Sequence, residues 1–163
     1  MARGSLRSRL VAGVQQSFST PIAAPADLCY LAIADFEAYP SWSSPITKVA
    51  VLDRYPDGFA RQVEFFIDMK LKTVRYVLEY TWLPPHRLTW KYVDGDLHDV
   101  AGSYVFEPLD TVRTHATCSQ AISLGFWIPG LLRRTFEQTA LRQSVLEFKA
   151  EAERRAASTH RHT

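Results

Sequence analysis

Between residues 46 and 122, six segments in which apolar residues recur at every second position follow one another. They cover about 46–51, 63–67, 71–82, 88–92, 100–106 and 112–122. A period of two predicts β-strands, and short turns such as 55–58 and Asp94-Gly95 join successive strands in antiparallel order. A single sheet must cover its apolar face. The only sizeable cover in this chain is a helical pattern from about Gly130 to Arg155. With one further strand predicted near the N-terminus (see below), these features predict an α+β domain with a curved antiparallel sheet of about seven strands wrapped around one long C-terminal helix.

The apolar residues of that helix form a broad arc rather than a narrow stripe. One row holds Leu141, Val145, Phe148 and Ala152 at spacings of four, three and four, and a neighbouring row holds Leu132, Phe136 and Ala140. A sheet of this width extends beyond one helix. We therefore expect the uncovered part of its concave face to form a cavity.

The first 45 residues predict one further strand and two short helices. Residues 14–19 read as a strand, Pro25 suits the first turn of a helix, and Pro40 separates that helix from a second one. The two helices lie between strands 1 and 2, and we expect them to cover the cavity. We predict a flexible leader at 1–13, one domain at 14–155 and a disordered tail at 156–163.

An aromatic stripe on the predicted strands is the main candidate site. Its members are Tyr76, Tyr80, Trp82, Trp90, Tyr92 and Tyr104. Plain core packing is one interpretation. However, buried Tyr and Trp need partners for their polar ends, and several of them on one concave face favour a cavity that holds water or a ligand.

The last strand carries a polar row of His115, Thr117 and Ser119. If Ala121 points inward, alternation places this row inside, where His115 is either a hydrogen-bonded core residue or a polar anchor for a ligand. The ordinary pKa of histidine permits acid–base chemistry. No second group in the sequence has to pair with it, so we predict no catalytic residue.

Charge and cysteine content exclude several classes of function. A net charge of +2 does not predict nucleic-acid binding. Cys29 and Cys118 are far apart, lack metal-binding spacing and read as buried thiols, which fits a reducing cytoplasm. No stretch approaches the roughly 20 apolar residues of a membrane span. We expect no metal and no cofactor.

Three sequence segments resemble one protein family. Residues 22–28 (IAAPADL) and 34–42 (ADFEAYPSW) look like the signature that opens its bacterial members. Residues 101–106 (AGSYVF) and 128–134 (IPGLLRR) resemble one of its strands and the start of its last helix. The chain thus resembles the START-like superfamily, also called SRPBCC, which includes polyketide cyclase/dehydrase and coenzyme Q-binding-protein-like members. It looks closest to small stand-alone actinobacterial proteins.

The resemblance implies a helix-grip fold and an internal cavity that binds a hydrophobic small molecule such as a lipid, quinone or polyketide. The expected ligand-binding residues are Phe36, Tyr39, Trp42, Phe65, Tyr76, Leu78, Tyr80, Trp82, Trp90, Tyr92, Tyr104, His115, Thr117 and Phe136.

Two alternatives remain open. The first is a polyketide aromatase/cyclase or dehydrase, although Trp82 and Ile46 stand where such enzymes carry a pocket arginine and a tyrosine. The second is a ribosome- or protein-interaction factor, based on the basic residues Arg133, Arg134 and Arg142. We expect Phe66 to be exposed on the outward face of the sheet, where it could form a homodimer contact.

Overall fold

A computed structural model describes residues 15–162, apart from the side chains at positions 134, 135, 137 and 138. The predicted leader therefore lies outside the described residues. Seven strands form one antiparallel sheet in the order β1-β7-β6-β5-β4-β3-β2. The strands are β1 (Gln16–Ile22), β2 (Ile46–Arg54), β3 (Ala60–Asp68), β4 (Thr73–Leu83), β5 (Arg87–Gly95), β6 (Asp99–Pro108) and β7 (Thr114–Ser123). The predicted α+β helix-grip architecture is confirmed.

The short helices lie between β1 and β2, as predicted. Helix α1 spans Ala26–Ala34, a single 3-10 turn spans Phe36–Ala38, and α2 spans Tyr39–Trp42. Pro25 is the N-cap of α1, where its missing N–H costs nothing. Strands β1 and β2 are the two edges of the sheet. The segment between them therefore crosses from one edge to the other and forms the lid.

Helix α3 (Gly130–His160) lies in the concave face of the sheet. Its buried row contains Leu141, Val145, Phe148, Ala152 and Ala156. Ala156 continues the row at a spacing of four, so the helix does not stop at the predicted boundary. The prediction of a disordered tail from Ala156 is therefore wrong as far as His160.

Polar contacts fix the C-terminal half of α3 to the start of the domain. The Ala23 backbone N–H donates to the Glu153 carboxylate at 3.0 Å, and Lys149 Nζ donates to the Pro21 carbonyl at 2.7 Å. Arg155 forms an ion pair with Asp35, in the turn after α1, at 3.0 Å. These contacts hold the helix against β1 and the lid at one end of the sheet.

The outward face of the sheet is charged and gives no support to a Phe66 contact. Phe66 is half-buried, and Lys48 Nζ lies 5.3 Å from its ring centroid. The lysine covers part of the ring, so the expectation of an exposed Phe66 is corrected.

Candidate functional site: an aromatic cavity between sheet and helix

A cavity of about 370 Å³ lies between the concave face of the sheet and the first half of α3. Nine of the predicted ligand-binding residues line it: Tyr39, Trp42, Phe65, Tyr76, Leu78, Tyr80, Trp90, Tyr104 and Phe136. Tyr39 and Trp42 belong to the lid, Phe136 belongs to α3, and the other six belong to the sheet. The structure thus brings most of the predicted aromatic stripe into one cavity.

Strand register explains why these rings meet. Tyr80 on β4 is directly opposite Trp90 on β5, and Tyr76 is opposite Phe65 on β3. Opposed residues of antiparallel strands project from the same face, so four rings share one wall of the cavity. Gly102 is opposite Trp90, and a Cβ atom at position 102 would lie 2.5 Å from the indole ring. The glycine is therefore required for the indole to lie flat on β6.

The lining offers several hydrogen-bond donors but few fixed partners for them. Trp90 Nε1 donates to Gln120 Oε1 on β7 at 3.1 Å. The Tyr39 hydroxyl donates to the Ile33 carbonyl, which fixes the lid ring. Trp42 Nε1 is buried and has no hydrogen-bond partner among the described residues. An unpaired buried N–H is costly, and a bound molecule with an acceptor atom would remove that cost.

Burial keeps the hydroxyl and thiol groups of the lining in their neutral forms. Desolvation raises the pKa of Tyr76, Tyr80 and Tyr104 well above the ordinary value of a phenol. Burial also raises the pKa of the Cys118 thiol to about 12. These groups are therefore hydrogen-bond donors at neutral pH, and none of them is a base or a thiolate nucleophile.

Charged groups lie at the edge of the cavity rather than inside it. Asp68 and Lys70, at the end of β3 and in the turn after it, are both exposed members of the lining. On the lid side, the Ser44 backbone N–H and hydroxyl both donate to the Glu147 carboxylate at 2.7 Å. Gln143 Nε2 donates to the same carboxylate at 2.9 Å. This polar cluster joins the lid to α3 where the cavity approaches the surface.

Three predicted residues face the concave side but are not part of the cavity lining. Phe36, in the 3-10 turn of the lid, is 1% exposed and packs onto the sheet, with its ring centroid 4.7 Å from that of Tyr80. Trp82 stacks on Phe59 and donates to the Ala60 carbonyl. Tyr92 packs against the edge of the core. The cavity therefore occupies only part of the stripe, because α1 and the 3-10 turn fill the end near Trp82.

The prediction that His115 and Thr117 face inward is wrong. On β7 the buried residues are Thr114, Ala116 and Cys118, so their neighbours project from the outer face. There Thr117 Oγ1 lies 2.8 Å from Ser19 Oγ on β1. The inward residues at this end of the strand, Thr114, Ala116 and Cys118, are all small.

The polar residue that β7 does contribute to the cavity is Gln120, which sequence reasoning missed. It shares the face of Ala116 and Cys118, and its amide oxygen accepts the Trp90 N–H. The sequence signal that could have found it is the alternation of the strand. Residues 116, 118 and 120 share one face, so once the small apolar residues Ala116 and Cys118 are taken as inward, Gln120 is inward as well.

The described residues include no group of three or more His, Cys, Asp or Glu side chains placed to hold a metal ion. No helix in residues 15–162 is long and apolar enough to cross a membrane.

The family model described as "Polyketide cyclase / dehydrase and lipid transport" matches residues 22–149. The chain belongs to this family. The match covers the lid, all strands from β2 onward and most of α3, and so includes every element that lines the cavity. The sequence resemblance to the START-like superfamily is confirmed. A search of curated proteins gives no match.

Solved structures share the fold of this polyketide cyclase/dehydrase family member. A START superfamily protein from Mycobacterium smegmatis has a TM-score of 0.78 at 19% identity, covering 86% of this chain and 97% of that one. The ZhuI aromatase/cyclase from Streptomyces sp. R1128 has a TM-score of 0.74 at 22% identity, covering 87% and 94%. A protein from Thermus thermophilus has a TM-score of 0.73 at 20% identity, covering 90% and 99%. At these identities the likeness establishes the fold.

Proposed function

We propose that this protein binds a hydrophobic small molecule, such as a lipid, quinone or polyketide, in the cavity between the sheet and α3. The observation that carries the proposal is the cavity of about 370 Å³ with an aromatic lining. Ligand sites in proteins have volumes of roughly 300–1,000 Å³, apolar walls and a few placed polar groups. The cavity has all three properties.

The polar groups of the lining favour a neutral ligand with an acceptor oxygen. The N–H of Trp42 has no partner among the described residues, and the phenols of Tyr76 and Tyr80 stay protonated. A carbonyl or hydroxyl oxygen would accept hydrogen bonds from such donors. A buried anion would need a cation beside it, and the lysine of the lining, Lys70, is exposed at the edge.

Free thiols fit a reducing compartment, and we retain the cytoplasm as the proposed location. Cys29 and Cys118 are both buried and unbridged.

The test compares two alanine-to-phenylalanine variants on the same helix. Ala140 lines the cavity, whereas Ala150 is exposed and is not part of the cavity lining. We expect the unmodified protein to take up an apolar fluorescent dye and to release a bound species on solvent extraction followed by mass spectrometry. Ala140→Phe should abolish uptake by filling the space. Ala150→Phe should leave uptake unchanged.

Two results would contradict the proposal. One is purified protein that contains no extractable molecule and takes up no apolar dye. The other is equal uptake by both variants, which would place the dye outside the cavity.

A second candidate function is that of a polyketide aromatase/cyclase, and the neutral donors favour it. Hydroxyl and N–H donors that point at a ketone oxygen polarise the carbonyl for ring closure. In this chain the Tyr80 phenol would be such a donor, since it lines the cavity and stays protonated. If the protein is a cyclase, it should convert a poly-β-ketone mimic. Tyr80→Phe should then lower turnover while dye uptake persists. Binding of the mimic without conversion would contradict the cyclase function and support the binding function.

A further inference from the structure

Large apolar side chains stand in solvent next to the cavity edge. Trp127 is 84% exposed, Leu131 83%, Leu71 64% and Leu132 46%. Leu71 lies in the β3–β4 turn, whereas the other three lie in the loop after β7 and in the first turn of α3. We call these four residues the apolar rim. Exposed apolar groups that cluster on one surface mark a site of interaction, whereas isolated ones do not.

The two segments that form the apolar rim are in contact with each other and with the cavity. Lys72 Nζ, beside Leu71, lies 4.3 Å from the ring centroid of Phe126, beside Trp127. Met69 and Lys70 in the β3–β4 turn line the cavity, and so does Phe136, one turn after Leu132. The apolar rim is therefore continuous with the edge of the cavity.

The two segments that form the apolar rim carry charge of one sign. Segments 69–72 and 124–133 contain Lys70, Lys72 and Arg133 and no Asp or Glu. Four aspartates lie at this end of the sheet outside the two segments, and each has a partner. Asp68, Asp96 and Asp99 accept the backbone N–H of Lys70, Arg75 and Val100, and Asp94 forms an ion pair with Arg75. Exposed tryptophan and leucine beside lysine are typical of surfaces that enter the headgroup region of a bilayer.

We propose that the apolar rim docks onto an anionic lipid bilayer. Trp127 and Leu131 enter the boundary between headgroups and acyl chains, while Lys70 and Lys72 contact the anionic headgroups. The cavity edge then faces the membrane, so that an apolar molecule passes between the two without crossing water. A second copy of the chain is a poorer occupant, because a two-fold contact through this surface would bring equal charges together.

The test is flotation of the full chain with vesicles of phosphatidylcholine, with and without phosphatidylglycerol. We expect binding to the anionic vesicles, with a blue shift in tryptophan emission. Trp127→Ser combined with Leu131→Ser should weaken binding about tenfold or more, because two exposed apolar side chains are lost. Lys70→Gln combined with Lys72→Gln should weaken binding to anionic vesicles several-fold and make it less sensitive to salt. The emission shift should vanish in Trp127→Phe.

Leu109→Ser is the matched control, because Leu109 is 51% exposed in the β6–β7 turn at the opposite end of the sheet. It should bind like the unmodified protein. Since all substituted residues are exposed, unfolding temperatures should agree across the set. Absence of flotation with anionic vesicles would overturn the proposal, and so would equal binding by the Trp127/Leu131 and Leu109 variants. A dimer in sedimentation velocity that the Trp127/Leu131 substitutions abolish would assign the surface to a second copy instead.

Docking is independent of ligand binding. Ala140→Phe, which fills the cavity, should still float with anionic vesicles, so failure of one proposal is distinguishable from failure of the other.

Discussion

The two halves of α3 contact the same sheet in different ways. From Leu141 to Ala156 the inward residues are buried, and polar contacts to β1 and the lid hold the helix close. Before Leu141 the packing is looser. Phe136 and Ala140 line the cavity, which extends along the helix as far as Phe148; Phe136 is half-buried, and Leu131 and Leu132 are exposed to solvent. One helix can therefore stabilise the fold with one half and leave space with the other. Stability and binding should respond to different substitutions.

The strongest test of this comparison removes a ring of β6 that packs against the C-terminal half of α3, and a ring of the N-terminal half itself. Phe106 is fully buried, 5.9 Å from Phe148 and 5.2 Å from Tyr104 between ring centroids. Phe106→Ala should lower the free energy of unfolding by about 3–5 kcal/mol, because it leaves a void in close-packed surroundings. Phe136→Ala only enlarges an existing cavity and should cost about 1 kcal/mol. Denaturant unfolding measures both, and equal losses would mean that the two halves are packed alike.

Adding a ring to each half of α3 should show the same difference between the halves, with a smaller effect on stability. Ala152 is fully buried in the packed half, so Ala152→Phe should destabilise the protein by about 1–3 kcal/mol. Ala140→Phe places the same ring in the cavity and should change the unfolding midpoint little. If Ala140→Phe is as destabilising as Ala152→Phe, the cavity has no room for a ligand.

The packed half of α3 should also determine part of the pH dependence of the protein's stability. Glu151 is buried and forms ion pairs with Arg154 at 2.7 Å and Arg155 at 2.9 Å. Its pKa is lowered, chiefly by hydrogen bonds from Arg154. The resulting stabilisation is present above the unfolded-state pKa of about 4.3 and is lost as the pH falls through the lower folded pKa.

We therefore expect Glu151→Gln to cost about 1 kcal/mol at neutral pH and nothing once the unmodified protein has taken up the proton. Urea unfolding at several pH values measures the difference. A constant difference at every pH would show that packing, rather than charge, gives Glu151 its effect.

The smallest effect is expected where the two halves meet. Glu147→Ala removes the acceptor of the Ser44 N–H and hydroxyl, and should cost only about 0.5 kcal/mol because these hydrogen bonds are exposed. Hydrogen exchange at the Ser44 amide should become faster, because the lid is no longer held to α3. Glu37→Ala, which removes an exposed ion pair with Arg54, is the control and should change neither quantity.

The sequence was sufficient for the fold because its patterns are long. The period of two over six strands and the row from Leu141 to Ala152 each depend on many residues, so an error at one position does not change the interpretation. The cavity needed finer information. Alternation shows that His115 and Thr117 share a face, but not which face is inward. The polar character of the row argued for the outer one.

The limits of the cavity along each strand were not predictable from periodicity either. Trp82 and Tyr80 have the same parity on β4, yet only Tyr80 lines the cavity. The difference comes from α1 and the 3-10 turn, whose Tyr30 and Phe36 rings lie against Trp82. Which part of a concave face remains open depends on how segments distant in sequence fill it.

The position of β1 has a consequence for how the protein is made. Gln16 pairs with Gln120 and Ile22 with Thr114, so this edge of the sheet joins the first described strand to the last. Closing so long a loop is slow, and β7 leaves the ribosome only after most of the chain has been synthesised. During synthesis β1 therefore has no partner. We expect the nascent chain to complete its sheet late, with a refolding rate limited by β1–β7 pairing.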